Sequence, residues 1–211
     1  MLKFKNVSIA RGNTHILENI NLTVDTGSKI AICGSSGSGK SSLLMAAMGC
    51  FPVTQGEISF NDKVLNKTTF KEIRQHIAYI GQDSIMGEEN VLESILLPFT
   101  YKSNHMLKPK IESIKDFLVK LGLNRKILDM DCSKISGGER QRIAIVRALL
   151  MNKKLFLIDE VTTGLDPDSK KYVIDLFQEP KFTILSVSHD TEWLKEQNLI
   201  YEFRNKTIYK L

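Results

Sequence analysis

The chain has 211 residues, of which 42% are hydrophobic and 25% charged, with a formal net charge of +5 at neutral pH. This composition is typical of a globular protein and excludes a disordered or fibrous chain. The chain lacks an apolar run of roughly 18–20 residues that could span a bilayer, and its first residues lack the apolar core of a signal peptide. Three scattered cysteines have neither metal-site nor disulfide spacing. The modest positive charge could favour an anionic membrane surface or nucleic acid, but dispersed, solvated lysines explain it as well. We expect a cytosolic protein with reduced thiols and no nucleic-acid partner.

Two alternating segments at the start of the chain predict an antiparallel pair of strands. Apolar and polar residues alternate over 2–9 and over 16–24, and Gly12-Asn13 provides a turn between them. Such alternation is typical of a sheet with one buried face. We expect an N-terminal antiparallel β-subdomain.

A glycine-rich loop then separates an apolar strand, 29–33, from an apolar helix, 42–48. Its pattern G-x-x-x-x-G-K-[ST] is that of a phosphate-binding loop when it lies between a strand and a helix. Lys40 would contact the β- and γ-phosphates, and the Ser41 hydroxyl would be a ligand of Mg²⁺. A flexible linker would have the same composition, but not these neighbours. The predicted phosphate-binding residues are Gly34, Ser35, Gly37, Ser38, Gly39, Lys40, Ser41 and Ser42.

The rest of the chain reads as an α/β protein with an insertion. Strands are predicted at 57–60, 77–80, 155–158 and 182–187, a helix at 169–177, and a hairpin over 199–209. Residues 83–135 are helical in character, and Gly122 suits the end of a helix. The predicted fold class is a P-loop NTPase core with a mainly parallel sheet, the antiparallel β-subdomain and a helical insertion subdomain. We expect one domain, 1–211, with a nucleotide-binding core of 1–82 and 136–211 and a helical subdomain of 83–135.

Two acidic residues, Asp159 and Glu160, end the apolar strand at 155–158. Ligands of open α/β sheets bind beyond the carboxyl ends of the strands, so both acids would lie near the phosphate loop. Asp159 is suited to hold Mg²⁺ and Glu160 to act as general base on water. Taken alone, the pair could equally be a strand end followed by a solvated acid.

The segment Ile135-Ser136-Gly137-Gly138-Glu139-Arg140-Gln141-Arg142 precedes a second predicted helix, 140–151. Ser136 is a good N-cap, and the two glycines allow close approach to the backbone. Following a phosphate loop and preceding an Asp-Glu strand, this segment resembles the signature segment of ATP-binding cassette (ABC) ATPases.

The resemblance extends over almost the whole chain. Gln82, after the strand at 77–80, resembles the family's Q-loop glutamine; 163–166 resembles the D-loop; and His189 resembles the switch histidine. Because these landmarks occur in the family's order, together they are far more specific than any one motif.

The resemblance implies an ATP hydrolase that uses ATP and Mg²⁺, acting as a homodimer or with a paired cassette. In the family, two cassettes close head to tail over two ATP molecules, and the signature residues of one cover the γ-phosphate held by the other. This assigns that role to Ser136, Gly137 and Gly138. Gln82 would sense Mg²⁺ and the attacking water, His189 would contact the γ-phosphate, and Asp166 would link the two sites.

Three positions depart from the family pattern. Val161 occupies the usual position of a proline, and Gly81 precedes Gln82 where it could loosen that loop. Arg11 stands where an aromatic residue usually stacks on adenine. A planar guanidinium can also stack on a ring, so we expect Arg11 to contact the base, with His15 as the alternative.

The family resemblance further implies a transporter ATPase at the cytoplasmic face of the cell membrane, working with separate integral membrane subunits. The apolar residues of 91–97 lie next to the Gln82 loop, where the family receives its membrane partner, although most are expected to pack inside the insertion. The segment around 91–98 resembles small exporter-type cassettes. A soluble ABC ATPase acting in assembly, repair or translation would share these motifs. A P-loop kinase would not need 135–142. Substrate and direction of transport normally depend on the membrane subunits.

Overall fold

The computed structural model describes all 211 residues, which form ten strands and seven helices. The strands are β1 (Leu2–Arg11), β2 (Thr14–Val24), β3 (Lys29–Cys33), β4 (Gln55–Phe60), β5 (Lys63–Val64), β6 (Ile77–Ile80), β7 (Leu155–Asp159), β8 (Thr183–Val187), β9 (Leu199–Arg204) and β10 (Thr207–Lys210). The helices are α1 (Lys40–Ala47), α2 (Phe70–Arg74), α3 (Val91–Leu96), α4 (Ile111–Lys120), α5 (Gly137–Leu150), α6 (Pro167–Phe177) and α7 (Thr191–Lys195). None of them is long and apolar enough to cross a bilayer.

The N-terminal strands form the predicted antiparallel sheet, in the order β2-β1-β4-β5. Its buried face includes Leu2, Phe4, Val7 and Ile9 of β1. The β1–β2 pairing shifts register at several points. Such shifts increase the local twist of a sheet, which lets one face wrap around a core.

The second sheet has six strands in the order β10-β9-β3-β8-β7-β6. The β3–β8, β3–β9 and β7–β8 pairs are parallel, and the C-terminal hairpin β9–β10 is antiparallel. Every residue of β7 and β8 is buried, as expected for the central strands of a parallel sheet. The predicted fold class, with its mainly parallel sheet, is confirmed.

The chain divides into two compact units. The first comprises Met1–Ile77, Lys154–Glu160 and Pro180–Leu211, and the second comprises Ala78–Lys153 and Val161–Glu179. Helices α3 to α6 belong to the second unit. The assignment of 83–135 to a helical subdomain and of the remainder to a nucleotide-binding core stays a prediction.

Two helices begin earlier than the sequence pattern indicates, because polar residues cap them. Helix α5 begins at Gly137, directly after its cap Ser136, rather than at Arg140. Helix α6 begins at Pro167 after the cap Asp166, a position that suits the fixed φ of proline. The short elements β5, α2 and α7 were not predicted, since five residues or fewer carry too little periodicity.

Helix α7 is anchored to the parallel sheet through a buried tryptophan. Trp193 is 1% exposed, and its indole N–H donates to Oγ of Ser186 on β8 at 3.0 Å. The Ser186 hydroxyl donates in turn to the carbonyl oxygen of Ile30 on β3 at 3.2 Å. Because buried polar groups need partners, this chain of bonds specifies how β8 and α7 meet. It thereby fixes the two ends of the loop that carries His189.

The glycine-rich loop after β3 packs directly against β9. A Cβ atom at Gly34 would lie 2.5 Å from the carbonyl oxygen of Phe203, and Gly34 has a φ of +139° that other residues rarely adopt. Gly37, in the same loop, has a φ of +73°, but a Cβ atom there would have no neighbour within 4 Å. The first glycine is required by both space and backbone conformation, whereas the second is required by conformation alone.

These two glycines allow the cost of a steric clash to be compared with the cost of backbone strain alone. Gly37→Ala should lower the free energy of unfolding by about 1 kcal/mol, the usual penalty for alanine at a positive φ. Gly34→Ala should lower it by about 3 kcal/mol, since the strand carbonyl of Phe203 cannot move aside. Urea unfolding of both variants measures the difference. Equal losses would mean that the loop shifts freely away from β9.

Candidate functional site

The predicted phosphate-binding segment, 34–42, follows β3 and extends into the first turn of α1, in the first unit. Helix α1 begins after Gly39, whose φ is +111°, with no side-chain cap and no acidic residue in its first turn. The first N–H groups of a helix have no partner within the helix. Here no side chain competes for them, so the helix N-terminus can receive an anion such as a phosphate.

The side chain of Lys40, the first residue of α1, contacts the loop rather than solvent. Its side chain is 7% exposed, and its Nζ donates to the carbonyl oxygens of Gly34 at 2.9 Å and Ser35 at 2.7 Å. An ammonium group has three N–H donors, so one remains for a ligand. The hydroxyl of Ser38 is buried with no hydrogen-bond partner in the chain. A buried hydroxyl without a partner and a fixed ammonium fit the phosphate groups that the sequence predicts.

The two acidic residues lie where β7 ends. Asp159 is its last residue and is buried at 6% exposure. Glu160 follows with a φ of +52°, and its N–H donates to the carbonyl oxygen of Val187 on β8 at 2.9 Å. A left-handed conformation is unusual for glutamate and persists only where the surroundings hold it. The bond to β8 is one such constraint, and it fixes where the Glu160 side chain begins.

The structure brings together two of the predicted catalytic residues, Glu160 and His189. Oε2 of Glu160 lies 2.8 Å from Nδ1 of His189; the glutamate side chain is 13% exposed and the histidine 68%. The histidine follows β8, and the next residue, Asp190, caps α7 by accepting from the N–H groups of Glu192 and Trp193. Because β7 and β8 are adjacent and parallel, residues after their ends meet. Sequence reasoning located both residues but not their direct pairing.

The candidate Mg²⁺ ligands of the first unit are few. Ser41 is exposed in the first turn of α1, and Asp159 ends β7. No group of three or more His, Cys, Asp or Glu residues forms a metal cluster. Mg²⁺ is commonly bound by one or two protein oxygens completed by phosphates and water, so a hydroxyl and a carboxylate fit it without a cage.

The predicted site residues of the second unit surround one groove of about 740 Å³. The groove lies at the N-terminus of α5, between the loop that carries Gln82 and the segment that precedes α6. Its lining includes Gln82, Ser136, Gly137, Gly138, Arg140, Arg142 and Asp166. Three motifs that are distant in sequence therefore share one surface.

The N-terminus of α5 is capped in a way that leaves a donor available. Oγ of Ser136 accepts from the N–H of Glu139 at 3.2 Å, and the Glu139 carboxylate accepts from the N–H of Ser136 at 2.8 Å. This capping box uses a lone pair of the serine hydroxyl and leaves its hydrogen free to donate. The Nε atoms of Arg140 and Arg142 are buried without a partner in the chain. A hydroxyl donor, a helix N-terminus and two guanidinium groups make this end of the groove suited to an anion.

Asp166 places a negative charge on the same groove. It caps α6 by accepting from the N–H of Ser169 at 2.9 Å. Hydrogen bonds from Ser169 lower the pKa of Asp166, and the nearby charge of Arg142 lowers it further. The carboxylate is therefore ionised at neutral pH.

The predicted adenine contacts lie on the β1–β2 hairpin of the first unit. Arg11 pairs with Thr14 across its tip, His15 pairs with Ala10, and both Arg11 and His15 are exposed. A Cβ atom at Gly39 would lie 3.6 Å from the carbonyl oxygen of the neighbouring Ile16, so this hairpin borders the phosphate loop. Contact of either side chain with a base stays a prediction.

The chain is similar to known proteins over most of its length. The family model described as "ABC transporter" matches residues 17–163. The chain is 35% identical to the methionine import ATP-binding protein MetN of Clostridium tetani, covering 93% of this chain and 64% of MetN. It is 34% identical to the lipoprotein-releasing system ATP-binding protein LolD of Rickettsia conorii, covering 99% of this chain and 97% of LolD.

Among solved structures, the dimeric post-hydrolysis state of the ATP-binding cassette MJ0796 bound to ADP and Pi is similar throughout. The two structures superimpose with a TM-score of 0.83 and are 26% identical in sequence, over 100% of this chain and 98% of that chain. The similarity to longer relatives is partial, since the chain spans less than two thirds of MetN.

Proposed function

The chain belongs to the ABC transporter family of ATP-binding proteins, and from that premise we propose that it hydrolyses Mg-ATP to drive a membrane transporter. The observation that carries this proposal is the set of groups gathered in the first unit. The fixed Lys40, the open N-terminus of α1 and the Glu160–His189 pair supply a phosphate site and a base on one framework.

The phosphate loop would bind the nucleotide through its triphosphate. Lys40 would add phosphate oxygens to the two carbonyl oxygens that it already contacts, and Ser38 would donate its buried hydroxyl. Bound Mg²⁺, held by Ser41 and Asp159, would neutralise charge on the transferred phosphoryl group. Most of the binding free energy would come from these contacts, since charge-assisted hydrogen bonds are the stronger ones.

Glu160 would accept a proton from the attacking water. Its side chain is largely shielded from solvent, so its carboxylate can hold a single water in place. His189, at 2.8 Å from that carboxylate, would orient it and contact the γ-phosphate once nucleotide is bound. Catalysis would rest on positioning and electrostatic stabilisation of an in-line transfer.

The groove of the second unit would cover the ATP of a partner cassette. Ser136, Gly137 and Gly138 would contact its γ-phosphate, as the free hydroxyl hydrogen and the helix N-terminus favour an anion. Asp166 would link the two sites, and Gln82 would sense Mg²⁺ and water. The similar solved cassette is described as dimeric and bound to ADP and Pi, which supports a paired arrangement. The partner would be a second copy of this chain or a paired cassette.

A membrane subunit would dock on the second unit, near residues 83–105. The structure buries Val91 and Ile95 of the apolar stretch that the sequence singled out, as expected for most of it. The exposed apolar side chains are instead Ile85 at 75% and Tyr101 at 60% exposure, with Met106 at 92% just beyond. These exposed apolar side chains are candidate contacts for a protein partner. This proposal places the chain at the cytoplasmic face of the cell membrane.

The phosphate contact is tested by Lys40→Ala, with the exposed Lys5→Ala as control. Loss of one charge-assisted contact of about 1.5–3 kcal/mol should raise the dissociation constant for Mg-ATP by about 10- to 100-fold. Lys5→Ala removes the same charge from β1 and should leave affinity unchanged. Titration calorimetry measures both. Unaltered affinity in Lys40→Ala would mean that the nucleotide does not use this loop.

The proposed pairing of two cassettes over ATP is tested with a variant that should trap the dimer. Glu160→Gln retains the shape of the side chain but not the base, so it should bind ATP, fail to hydrolyse it and accumulate as a dimer. Adding Ser136→Arg should abolish that dimer, because bulk and charge would enter the groove. Light scattering with and without ATP measures the mass. A Glu160→Gln protein that stays monomeric at high protein and ATP concentrations contradicts the paired arrangement.

The docking proposal is tested by a photocrosslinker at position 85 or 106 in native membranes, with position 5 as control. Crosslinks from the first two should reach an integral membrane protein, and crosslinks from the control should not. Capture of only soluble partners at both positions would instead favour a soluble ABC ATPase acting in assembly or repair.

A further inference from the structure

The loop that carries Gln82 is bound at both ends to α5, the helix that begins beside Ser136. This segment, Gly81–Met86, is called the Gln82 loop below; it contains neither helix nor strand beyond β6. We propose that Gln141 and Arg147 are positioning residues that lock the Gln82 loop to α5, so that Gln82 and Ser136 move as one body. The consequence for hydrolysis rests on the proposed function, whereas the lock itself does not.

Gln141 holds the first end of the loop. It is 5% exposed, its Oε1 accepts a hydrogen bond from the Ser84 hydroxyl, and its Nε2 donates to the carbonyl oxygen of Gly81 at 3.4 Å. Both faces of one amide are thus directed to the loop, on either side of Gln82. A buried amide that loses such partners is costly, so this contact resists opening.

Arg147 holds the second end. Its Nη2 donates to the carbonyl oxygen of Ile85 at 2.8 Å and its Nη1 to that of Met86 at 3.1 Å. The planar fork of a guanidinium group suits two acceptors at once, which a lysine cannot match. The Ser94 hydroxyl, buried in α3, also donates to the Met86 carbonyl at 2.6 Å. The backbone at 85–86 is therefore fixed to α5 and α3 together.

The two contacts are well separated along the helix. Residues 141 and 147 are six apart, which corresponds to about 9 Å of helix rise. Two attachment points at this distance prevent the loop from pivoting about either one. Force applied to the exposed side chain of Ile85 would therefore be transmitted to α5 and to its N-terminus at Ser136. In the proposed function, this connects a docked partner to the residues that cover the γ-phosphate.

The lock is tested by loop mobility in Arg147→Met, with Arg74→Met as matched control. Arg74 is also a part-buried arginine that donates to a backbone carbonyl, that of Met48 at 2.6 Å, but it lies in the first unit. A nitroxide at position 85, with Cys33 and Cys50 replaced, reports local motion by electron spin resonance. A second nitroxide at the exposed position 106 reports motion elsewhere in the second unit.

Arg147→Met should increase nitroxide mobility at position 85 and leave position 106 unchanged, and Arg74→Met should change neither. Arg147→Lys, which can retain one carbonyl contact, should be intermediate. In unlabelled protein, kcat for ATP should fall about 10-fold in Arg147→Met with KM within about twofold, since positioning and not nucleotide binding is lost. If Arg147→Met does not fold, Ser84→Ala removes the donor to Gln141 and tests the first end of the loop, with the nitroxide at the exposed position 83.

Unchanged mobility at position 85 would overturn the lock. Increased mobility with unaltered kcat would overturn its positioning role. A purely structural role would instead lower urea stability and raise mobility at both labels, which also contradicts the proposal. The spin-label result does not depend on hydrolysis. Failure of the proposed function would appear separately, as a wild-type protein that neither binds nor hydrolyses ATP.

Discussion

Parallel pairing of β3, β7 and β8 is the constraint on which the rest of the site depends. In register, Ile32 of β3 and Asp159 of β7 both align with Val187 of β8. The three strands therefore end at one edge, and the chain leaves each of them into a functional segment. Their side chains are buried throughout β7 and β8, so register is held by packing on both faces. A slip of one residue would separate the phosphate loop, the acids and His189.

The two helix N-termini that are candidates for phosphate binding are built differently. Helix α1 has no side-chain cap, so no side chain competes with a ligand for the N–H groups of its first turn. Helix α5 has a complete capping box, which satisfies part of its backbone and leaves the Ser136 hydroxyl as donor. The first arrangement suits a phosphate chain enclosed by the loop itself. The second suits a ligand that arrives on another surface and must meet a helix end that is already stable without it.

Much of the fold could be predicted, and the candidate site residues could be selected, because their signals are local. The glycine loop lies between a strand and a helix, and the spacing from Ser136 to Glu139 is that of a capping box. The contacts among them could not be predicted. The Glu160–His189 pair depends on β7 and β8 being neighbours, and Gln141 meets Ser84 across 57 residues of chain. Arg147 in particular resembles any polar residue of an amphipathic helix until its two carbonyl partners are known.

Lys40 forms hydrogen bonds to its own loop, and these bonds affect how the loop would bind a ligand. Glycine-rich segments lose more conformational freedom on ordering than others do. Here the ammonium already joins Gly34 and Ser35 to the start of α1, and the loop has lost that freedom during folding. A phosphate that binds there would meet a loop that these bonds already hold, which reduces the ordering entropy that opposes association. The order of the loop and its suitability for an anion thus have the same origin, the hydrogen bonds of Lys40 to its own loop.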